Sequence, residues 1–274
     1  MSMVRKDRQW WRYPVLVLVI AAYLTPIYVL TGISFKPASD LSSYWHFPDN
    51  PTWQNFISAV VTGHIFTALK NTIIITACSV VLIVSVGAIT AYPLARMKTK
   101  FTKGMTAFAL IIMMVPPLSI LVPLYATLVG YGGINRYWGI IVTLLTFELP
   151  LSIFLYANFI RAIPQTLDEA AHIDGAGPVR TFCQIIFPQL HPVTASVIIL
   201  SGIHCWNDYQ FSLYILQKTV MKPITVAISG FFSQSTSNLN AAAAAALLAI
   251  LPVIILFLAL QRYFIKGMVD SAIK

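Results

Sequence analysis

The chain has 274 residues, of which 58% are hydrophobic and 10% charged, with a mean hydropathy of +0.77. Soluble domains carry about a quarter of charged residues, so this composition excludes an ordinary soluble domain and indicates a bilayer as the solvent. The formal net charge of +9 does not predict a nucleic-acid partner, because the basic residues lie between long apolar runs.

Six apolar runs meet the length of roughly 20 residues that a helix needs to cross a bilayer. They are residues 14–34, 73–95, 105–128, 138–160, 192–214 and 241–264. Each is predicted to be helical, because an open strand edge in hydrocarbon leaves backbone groups unpaired at several kcal/mol each. The sequence therefore predicts an all-α membrane protein with six transmembrane helices. The first run is longer than the apolar core of a cleaved signal peptide, so we expect it to be a span.

The distribution of the basic residues predicts the orientation of these spans. With the N-terminus in the cytosol, thirteen of the eighteen Lys and Arg residues fall in cytosolic segments. These are Arg5, Lys6, Arg8, Arg12, Arg96, Lys98, Lys100, Lys103, Arg161, Arg180, Arg262, Lys266 and Lys274. An excess of Lys and Arg marks the cytosolic side, and six crossings bring the chain back to it. We therefore expect both termini to be cytosolic.

Prolines predict where the membrane helices are kinked or broken. The stretch MMVPPLSILVP places Pro116, Pro117 and Pro123 inside the third run. Proline lacks an N–H and crowds the carbonyl four residues earlier, so this helix must kink or break. Pro150 and Pro252 predict the same in the fourth and sixth runs. Kinked helices suit a water-filled transport path, and packing alone is an equally open explanation.

The segment between the fourth and fifth runs, residues 164–192, is unusually acidic and is called the acidic segment below. It holds three of the nine carboxylates, within Asp168 to Asp174. Thr166 followed by Glu169 predicts a capping box that starts a helix at about Leu167 and ends it at Ile173. Gly175 suits the helix stop.

A second short helix is expected to follow in the acidic segment. Pro178 fits its first position, and Phe182, Ile185 and Ile186 form its apolar face, with Pro188 closing it. Two short helices joined at the small residues DGAG indicate a docking surface. Its negative charge comes from Asp168, Glu169 and Asp174. A solvated connecting loop is the alternative.

Two polar groups at membrane depth are candidate substrate contacts. Glu148 lies near the middle of the fourth run, and Trp206, Asn207, Asp208 and Tyr209 lie toward the outer part of the fifth. Ionisable residues inside a membrane are functional candidates, because their burial is costly. Carboxylates and amides bind sugar hydroxyls, and aromatic rings stack on sugar faces. Bracing between helices is the alternative for both groups.

The three cysteines, an odd and scattered set, predict neither disulfides nor a metal site.

The sequence of the acidic segment resembles a motif of a known protein family. EAAHIDGAGPVRTFCQIIFPQLHP resembles the EAA motif of permease subunits in binding-protein-dependent ABC importers, with Phe187 where leucine is usual. CWNDYQFSL, KPITVAISGF and LPVIILFLALQRYFIKGMVDSAIK are similar, in the same order, to segments of the carbohydrate branch. The match covers roughly residues 67–274 and looks like the second permease of maltose-type importers. Its ending, DSAIK, lacks the glycines usual there.

The resemblance implies a type I ABC importer permease fold with cytosolic EAA coupling helices at about residues 165–187. It divides the chain into an N-terminal part (1–66, with the first span and external loop), a core permease domain (67–264) and a cytosolic tail (265–274). It implies that an ATPase is contacted by the EAA residues Glu169, Ala170, Ala171, Asp174, Gly175 and Pro188. The tail, around Gly267 to Lys274, is expected to reach between the two ATPases.

The resemblance also implies partners and a location. A bacterial plasma (inner) membrane, a second homologous permease in a heterodimer, two cytosolic ATPase subunits and an external solute-binding protein are expected. The sequence lacks the phosphate-loop pattern GxxxxGK[ST], so ATP and Mg²⁺ are expected on the partner ATPases and no cofactor on this chain. No pattern of an enzyme active site occurs. The alternative is an ion-coupled secondary carrier that cycles a proton on Glu148 or Asp208.

Overall fold

The computed structural model describes residues 12–97, 99–233 and 238–272, and all regular structure within these ranges is helical. The predicted all-α class is therefore confirmed for this part of the chain. The side chains of the predicted tail, residues 265–274, lie outside the description, as do Arg5, Lys6, Arg8 and Lys98 of the basic set.

Thirteen α-helices follow one another in the described ranges. They are α1 (Arg12–Phe35), α2 (Gln54–Val61), α3 (Ile65–Arg96), α4 (Lys100–Ile112), α5 (Leu121–Gly130), α6 (Tyr137–Ala162), α7 (Thr166–Ile173), α8 (Pro178–Thr181), α9 (Phe187–Gln189), α10 (His191–Asn207), α11 (Gln210–Ile215), α12 (Ile224–Ser233) and α13 (Leu239–Ala272). A π-helical stretch, Phe182–Ile186, joins α8 to α9, and a 3₁₀ turn, Pro117–Ile120, precedes α5.

Three of the described helices, α1, α3 and α6, are long and apolar enough to cross a membrane unaided. Two further stretches pass only as bent pairs, Lys100–Ile112 with Pro117–Gly130 at 96° and Pro178–Gln189 with His191–Asn207 at 77°. The described part of the chain thus supplies three helices of spanning length, or up to five if each bent pair is one span.

The third apolar run, predicted as a single span at 105–128, is broken. Helix α4 ends at Ile112, and Pro116 takes an extended conformation with ψ 125° before the 3₁₀ turn. The physical reason is the one the prolines predict, because Pro116 and Pro117 in succession remove two N–H donors and exclude the α conformation before each ring. Pro150, by contrast, lies within the continuous helix α6, so the break predicted there as an alternative to a kink is absent.

The fifth run, predicted as a single span at 192–214, is also interrupted. Helix α10 ends at Asn207, Asp208 is extended with ψ 120°, and α11 starts at Gln210. No proline lies at this break. The Asp208 carboxylate instead accepts hydrogen bonds from the next helical turn, which stabilises a new helix start in place of a continuous helix.

The described chain forms two compact units, the first made of residues up to Ile65 together with Ile228–Ile254. In this unit α1 packs against α2, and the Phe35 ring lies 5.0 Å from those of Trp53 and Phe56. Lys36 is 1% exposed, and its ammonium donates hydrogen bonds to the backbone oxygens of Ser42 and Ser43 at 2.8 and 2.9 Å. The segment that follows α1 is therefore folded onto the end of that helix.

The second unit contains Phe66–Ala227 and the chain from Ile255 onward. Helix α6 is central to it and contacts α4, α10 and α11. The Tyr156 side chain is fully buried and donates a hydrogen bond to Thr194 Oγ1 at 2.9 Å, which links α6 to α10. Helix α3 approaches α6 closely at Gly87, where Ser152 Oγ donates to the Ile83 carbonyl at 3.2 Å.

We expect Gly87→Ala to destabilise the second unit, because the added Cβ would collide with the Ser152 hydroxyl. Overpacking of this kind costs about 1–3 kcal/mol. The matched control is Gly104→Ala in α4, where an added Cβ meets nothing within 4 Å. The thermal midpoint of the purified chain in detergent should fall for Gly87→Ala alone and recover largely in Gly87→Ala/Ser152→Ala. Equal midpoints for the two glycine variants would contradict the close helix contact.

Candidate functional site

The first helix of the acidic segment starts one residue earlier than predicted. Thr166 is itself the first residue of α7, the preceding Gln165 makes no side-chain cap, and the predicted capping box with Glu169 is therefore wrong. The amides of Asp168 and Glu169 instead donate to the Gln165 carbonyl at 2.9 and 3.1 Å. Because the end of α6 leads directly into this turn through Pro164, backbone carbonyls replace the hydroxyl cap.

The turn between the two short helices has the predicted form. Gly175 has φ +76°, the left-handed region that favours glycine, and its amide donates to the His172 carbonyl at 3.0 Å. The Ala176 amide donates to the Ala171 carbonyl at 2.9 Å, which completes a Schellman helix end. Pro178 then occupies the first turn of α8, as predicted.

The second short helix packs inward through its predicted apolar face. Phe182 and Ile186 are buried, Ile185 packs against the same core, and the Phe182 ring lies 5.3 Å from that of Tyr92 in α3. The helix passes Pro188 and ends at Gln189, one residue later than predicted. The π-helical stretch lets the Phe187 amide bond to Phe182, five residues back.

The three carboxylates of the acidic segment do not share one surface, contrary to the prediction. The Asp168 side chain points inward and forms an ion pair of 2.7 Å with Arg96 at the end of α3. Tyr92 also donates to Asp168 at 2.7 Å, and Arg96 donates to the Ile163 carbonyl at 2.9 Å. Asp168 therefore anchors α7 to α3 and leaves the exposed acid to Glu169 and Asp174.

The exposed side of the acidic segment combines acid with apolar side chains. Glu169, Ala170, Asp174 and Gly175 are exposed, whereas Ala171 is 3% exposed and packs inward. Ile173 is 85% exposed and Val179 77% exposed on either side of the glycine turn. Sequence reasoning missed these two residues, although their position beside DGAG in a solvated turn was a usable signal. We call Glu169, Ile173, Asp174 and Val179 the docking tip.

Glu148 is paired across helices rather than free in a cavity. Its two carboxylate oxygens lie 3.1 Å from His204 Nδ1, which joins α6 to α10. The Glu148 side chain is 16% exposed and that of His204 56% exposed. Sequence reasoning named Glu148 but not His204, because the two residues lie 56 positions apart.

The polar residues at the end of α10 mostly make local contacts. Asp208 accepts hydrogen bonds from the Phe211 and Ser212 amides at 3.3 and 2.9 Å and from Ser212 Oγ at 2.6 Å. Asn207 donates to the Ile203 carbonyl at 2.9 Å. Trp206 is half-buried, and Tyr209 is 39% exposed. Glu148 and Asp208 thus have separate partners.

The hydrogen bonds of the Asp208 side chain are local and hold the start of α11. We expect Asp208→Ala to lower the free energy of unfolding by about 1–2 kcal/mol, as loss of a helix cap does, and Asp208→Asn to keep most of it. Thermal midpoints of the purified variants measure this. In the importer that the sequence resemblance implies, Asp208→Asn should then retain uptake. Loss of uptake in Asp208→Asn at unchanged thermal stability would instead indicate a direct contact with the solute.

Within the described residues the regular structure is helical and includes several helices of membrane length, which is typical of a multi-span membrane protein. Residues 83–270 match the family described as the binding-protein-dependent transport system inner membrane component. The chain belongs to this family of inner-membrane permeases.

Relatives are similar over nearly the whole chain. The melibiose/raffinose/stachyose import permease protein MelC of Bacillus subtilis is 43% identical, with 94% of each chain covered. The trehalose transport system permease protein SugB of Mycobacterium tuberculosis is 32% identical, again with 94% of each chain covered. Such relatives are transport subunits, which confirms the prediction that this chain is a permease and not an enzyme.

Solved structures support the fold. A chain of a bacterial ABC transporter involved in the import of the acidic polysaccharide alginate matches with a TM-score of 0.80 at 20% identity, covering 96% of this chain and 99% of its own. A chain from that kind of transporter in complex with an alginate pentasaccharide-bound periplasmic protein matches with a TM-score of 0.69 at 18% identity, covering 95% and 96%. The fold is that of an ABC importer permease.

Proposed function

We propose that this chain forms one half of the translocation path of an ATP-driven importer for a carbohydrate, delivered by an external solute-binding protein. MelC and SugB are named for the import of sugars, and MelC at 43% identity supports an oligosaccharide in particular. The other half of the path is a second homologous permease in a heterodimer. Two cytosolic ATPase subunits carry ATP and Mg²⁺.

The proposed topology has six spans and both termini in the cytosol. Helices α1, α3 and α6 provide three spans, and the bent pair Lys100–Ile112 with Pro117–Gly130 provides another. Helix α10, continued by α11, provides the fifth, while Pro178–Gln189 stays outside the membrane in the acidic segment. The sixth is α13, whose described apolar part runs Leu239–Ile255. This arrangement agrees with the excess of Lys and Arg on the predicted cytosolic side and places the acidic segment there.

The exposed side chains of the docking tip are the main support for the proposed coupling mechanism. Exposed Ile173 and Val179 offer apolar side chains to a partner, and Glu169 and Asp174 beside them suit basic side chains on that partner. Behind the tip, the ion pair between Asp168 and Arg96 links α7 to α3. A partner that moves the tip therefore moves the end of a helix of spanning length. We propose that ATP binding drives the path open and closed through this link.

Two adjacent alanines allow a sharp cross-linking test of this proposal. Ala170 is exposed and Ala171 is buried, so cysteines at the two positions differ only in access. In a background with Cys78, Cys183 and Cys205 replaced by serine, Ala170→Cys should cross-link to an ATPase subunit in isolated membranes. Ala171→Cys should not. Failure of Ala170→Cys to cross-link in an assembled, transporting complex would contradict the docking role.

The energy source separates this proposal from an ion-coupled carrier. The proposed importer should take up sugar in vesicles that hold ATP after the proton gradient has been collapsed, and only with its binding protein and ATPases present. Uptake by this chain alone, abolished by a protonophore, would favour proton cycling on Glu148 or Asp208 instead.

A further inference from the structure

A cavity of about 800 Å³ in the second unit lies where the end of α3, the start of α4 and the end of α6 meet. Its lining combines two kinds of side chain. Three cations line it, Arg96, Lys103 and Arg161, and among the described residues no carboxylate does. The remaining lining includes apolar side chains such as Leu110 and Ile163.

Two of the three lining cations are not neutralised by an acid within the described residues. Arg96 is 11% exposed and uses its two terminal nitrogens for Asp168 and the Ile163 carbonyl. Arg161 donates a hydrogen bond to the neutral Asn158 side chain, and among the described residues neither Arg161 nor Lys103 forms an ion pair. These two cations therefore give the cavity a net positive charge.

The rest of the cavity lining is largely apolar. Leu94, Met97, Ala107, Leu110 and Ile163 line it from α3, α4 and the residues that follow α3 and α6. A basic recess with an apolar lining matches a ligand with an anionic head and a hydrocarbon tail. Basic pockets between membrane helices on the cytoplasmic side bind the headgroups of anionic lipids for this reason.

We propose that this cavity binds the phosphate of an anionic phospholipid, with the acyl chains lying along α4. An inorganic phosphate or a nucleotide would use the cations and leave the apolar lining without a role. The site also has a consequence for coupling, because Arg96 holds Asp168 of α7. A bound headgroup would hold Arg96 in place and so support the anchor of the acidic segment. The proposal rests on the proposed topology, which puts this cavity on the cytosolic side, and not on the identity of the transported solute.

Photolabelling of the full transporter complex tests the proposal. The complex is placed in vesicles of phosphatidylethanolamine and phosphatidylglycerol that contain a photoactivatable phosphatidylglycerol, and labelled peptides are mapped by mass spectrometry. Label should concentrate on α4 and on residues 94–97 and 161–165. Lys103→Gln and Arg161→Gln should each reduce it about fivefold, as expected for the loss of one basic residue near an anionic membrane.

The matched control is Lys100→Gln, which removes the same charge from α4 one turn earlier, at an exposed residue outside the lining. It should reduce labelling less than twofold. Ala107→Trp, which fills the cavity without changing charge, should abolish the label. All variants are compared after gel filtration of the intact complex.

Four outcomes would overturn the proposal. Equal losses in Lys100→Gln and Lys103→Gln would indicate general attraction to the surface. Equal labelling by a photoactivatable phosphatidylcholine would remove the role of headgroup charge. Competition by excess inorganic phosphate would assign the cavity to a soluble anion. Labelling of the free chain that disappears in the complex would show that a protein partner covers the cavity.

Discussion

Replacing both apolar residues of the docking tip, Ile173→Asp with Val179→Asp, is expected to abolish sugar uptake while the chain still folds and reaches the membrane. The two side chains are 85% and 77% exposed, so they contribute little to the fold of the free chain. If they are central anchors of an interface with the ATPase, their loss costs about 2 kcal/mol or more, roughly thirtyfold in affinity. Co-purification of the ATPase subunits and substrate-stimulated ATP hydrolysis are the measurements.

The control for the docking tip is Leu41→Asp, which places an aspartate at a residue that is 95% exposed between α1 and α2. It should leave ATPase co-purification unchanged. Glu169→Lys and Gly175→Leu extend the test. Glu169→Lys replaces a negative charge of the docking tip with a positive one, and Gly175→Leu places a side chain at the positive φ of the turn, which strains the backbone. Full substrate-stimulated ATP hydrolysis in the tip variants would refute the assignment of this surface.

Removing the anchor of the acidic segment is expected to have the largest effect on stability. Arg96→Ala leaves the Asp168 carboxylate without its ion-pair partner, with only 20% of its side chain exposed. Breaking a fully buried pair costs about 3–5 kcal/mol, and the partial exposure here reduces the expected cost to about 2–3 kcal/mol. The thermal midpoint of the purified chain in detergent should fall accordingly. Uptake should be lost, because α7 keeps the Tyr92 hydrogen bond to α3 but loses the ion pair.

Two further variants make the anchor experiment specific. Arg180→Ala removes an exposed arginine of the same segment whose hydrogen bond goes to Gln184, and it should change stability little. Arg96→Ala combined with Asp168→Ala removes both charges, so the double variant should be less unstable than the sum of the single ones. Additive effects of the two substitutions would show that the ion pair does not hold the segment.

The long apolar helices were predictable because transfer into a bilayer depends on local composition. The runs at 14–34 and 138–160 correspond to Arg12–Phe35 and Tyr137–Ala162 within two residues at each end. The helix is interrupted within two of the predicted runs, 105–128 and 192–214. The break before Pro116 was predictable from the adjacent prolines. The break at Asp208 depends on hydrogen bonds to Ser212, which the amino-acid composition does not indicate.

By itself the sequence determined that this protein is helical and apolar, that it resembles the importer permeases, and that a glycine turn divides the acidic segment at Gly175. These features follow from side-chain chemistry and from the spacing of residues along the chain. The tertiary structure decided that Asp168 turns inward while its neighbour Glu169 turns outward, and that Glu148 meets His204. Such choices depend on contacts between residues 76 and 56 positions apart, which only the packing of α3, α6, α7 and α10 brings together.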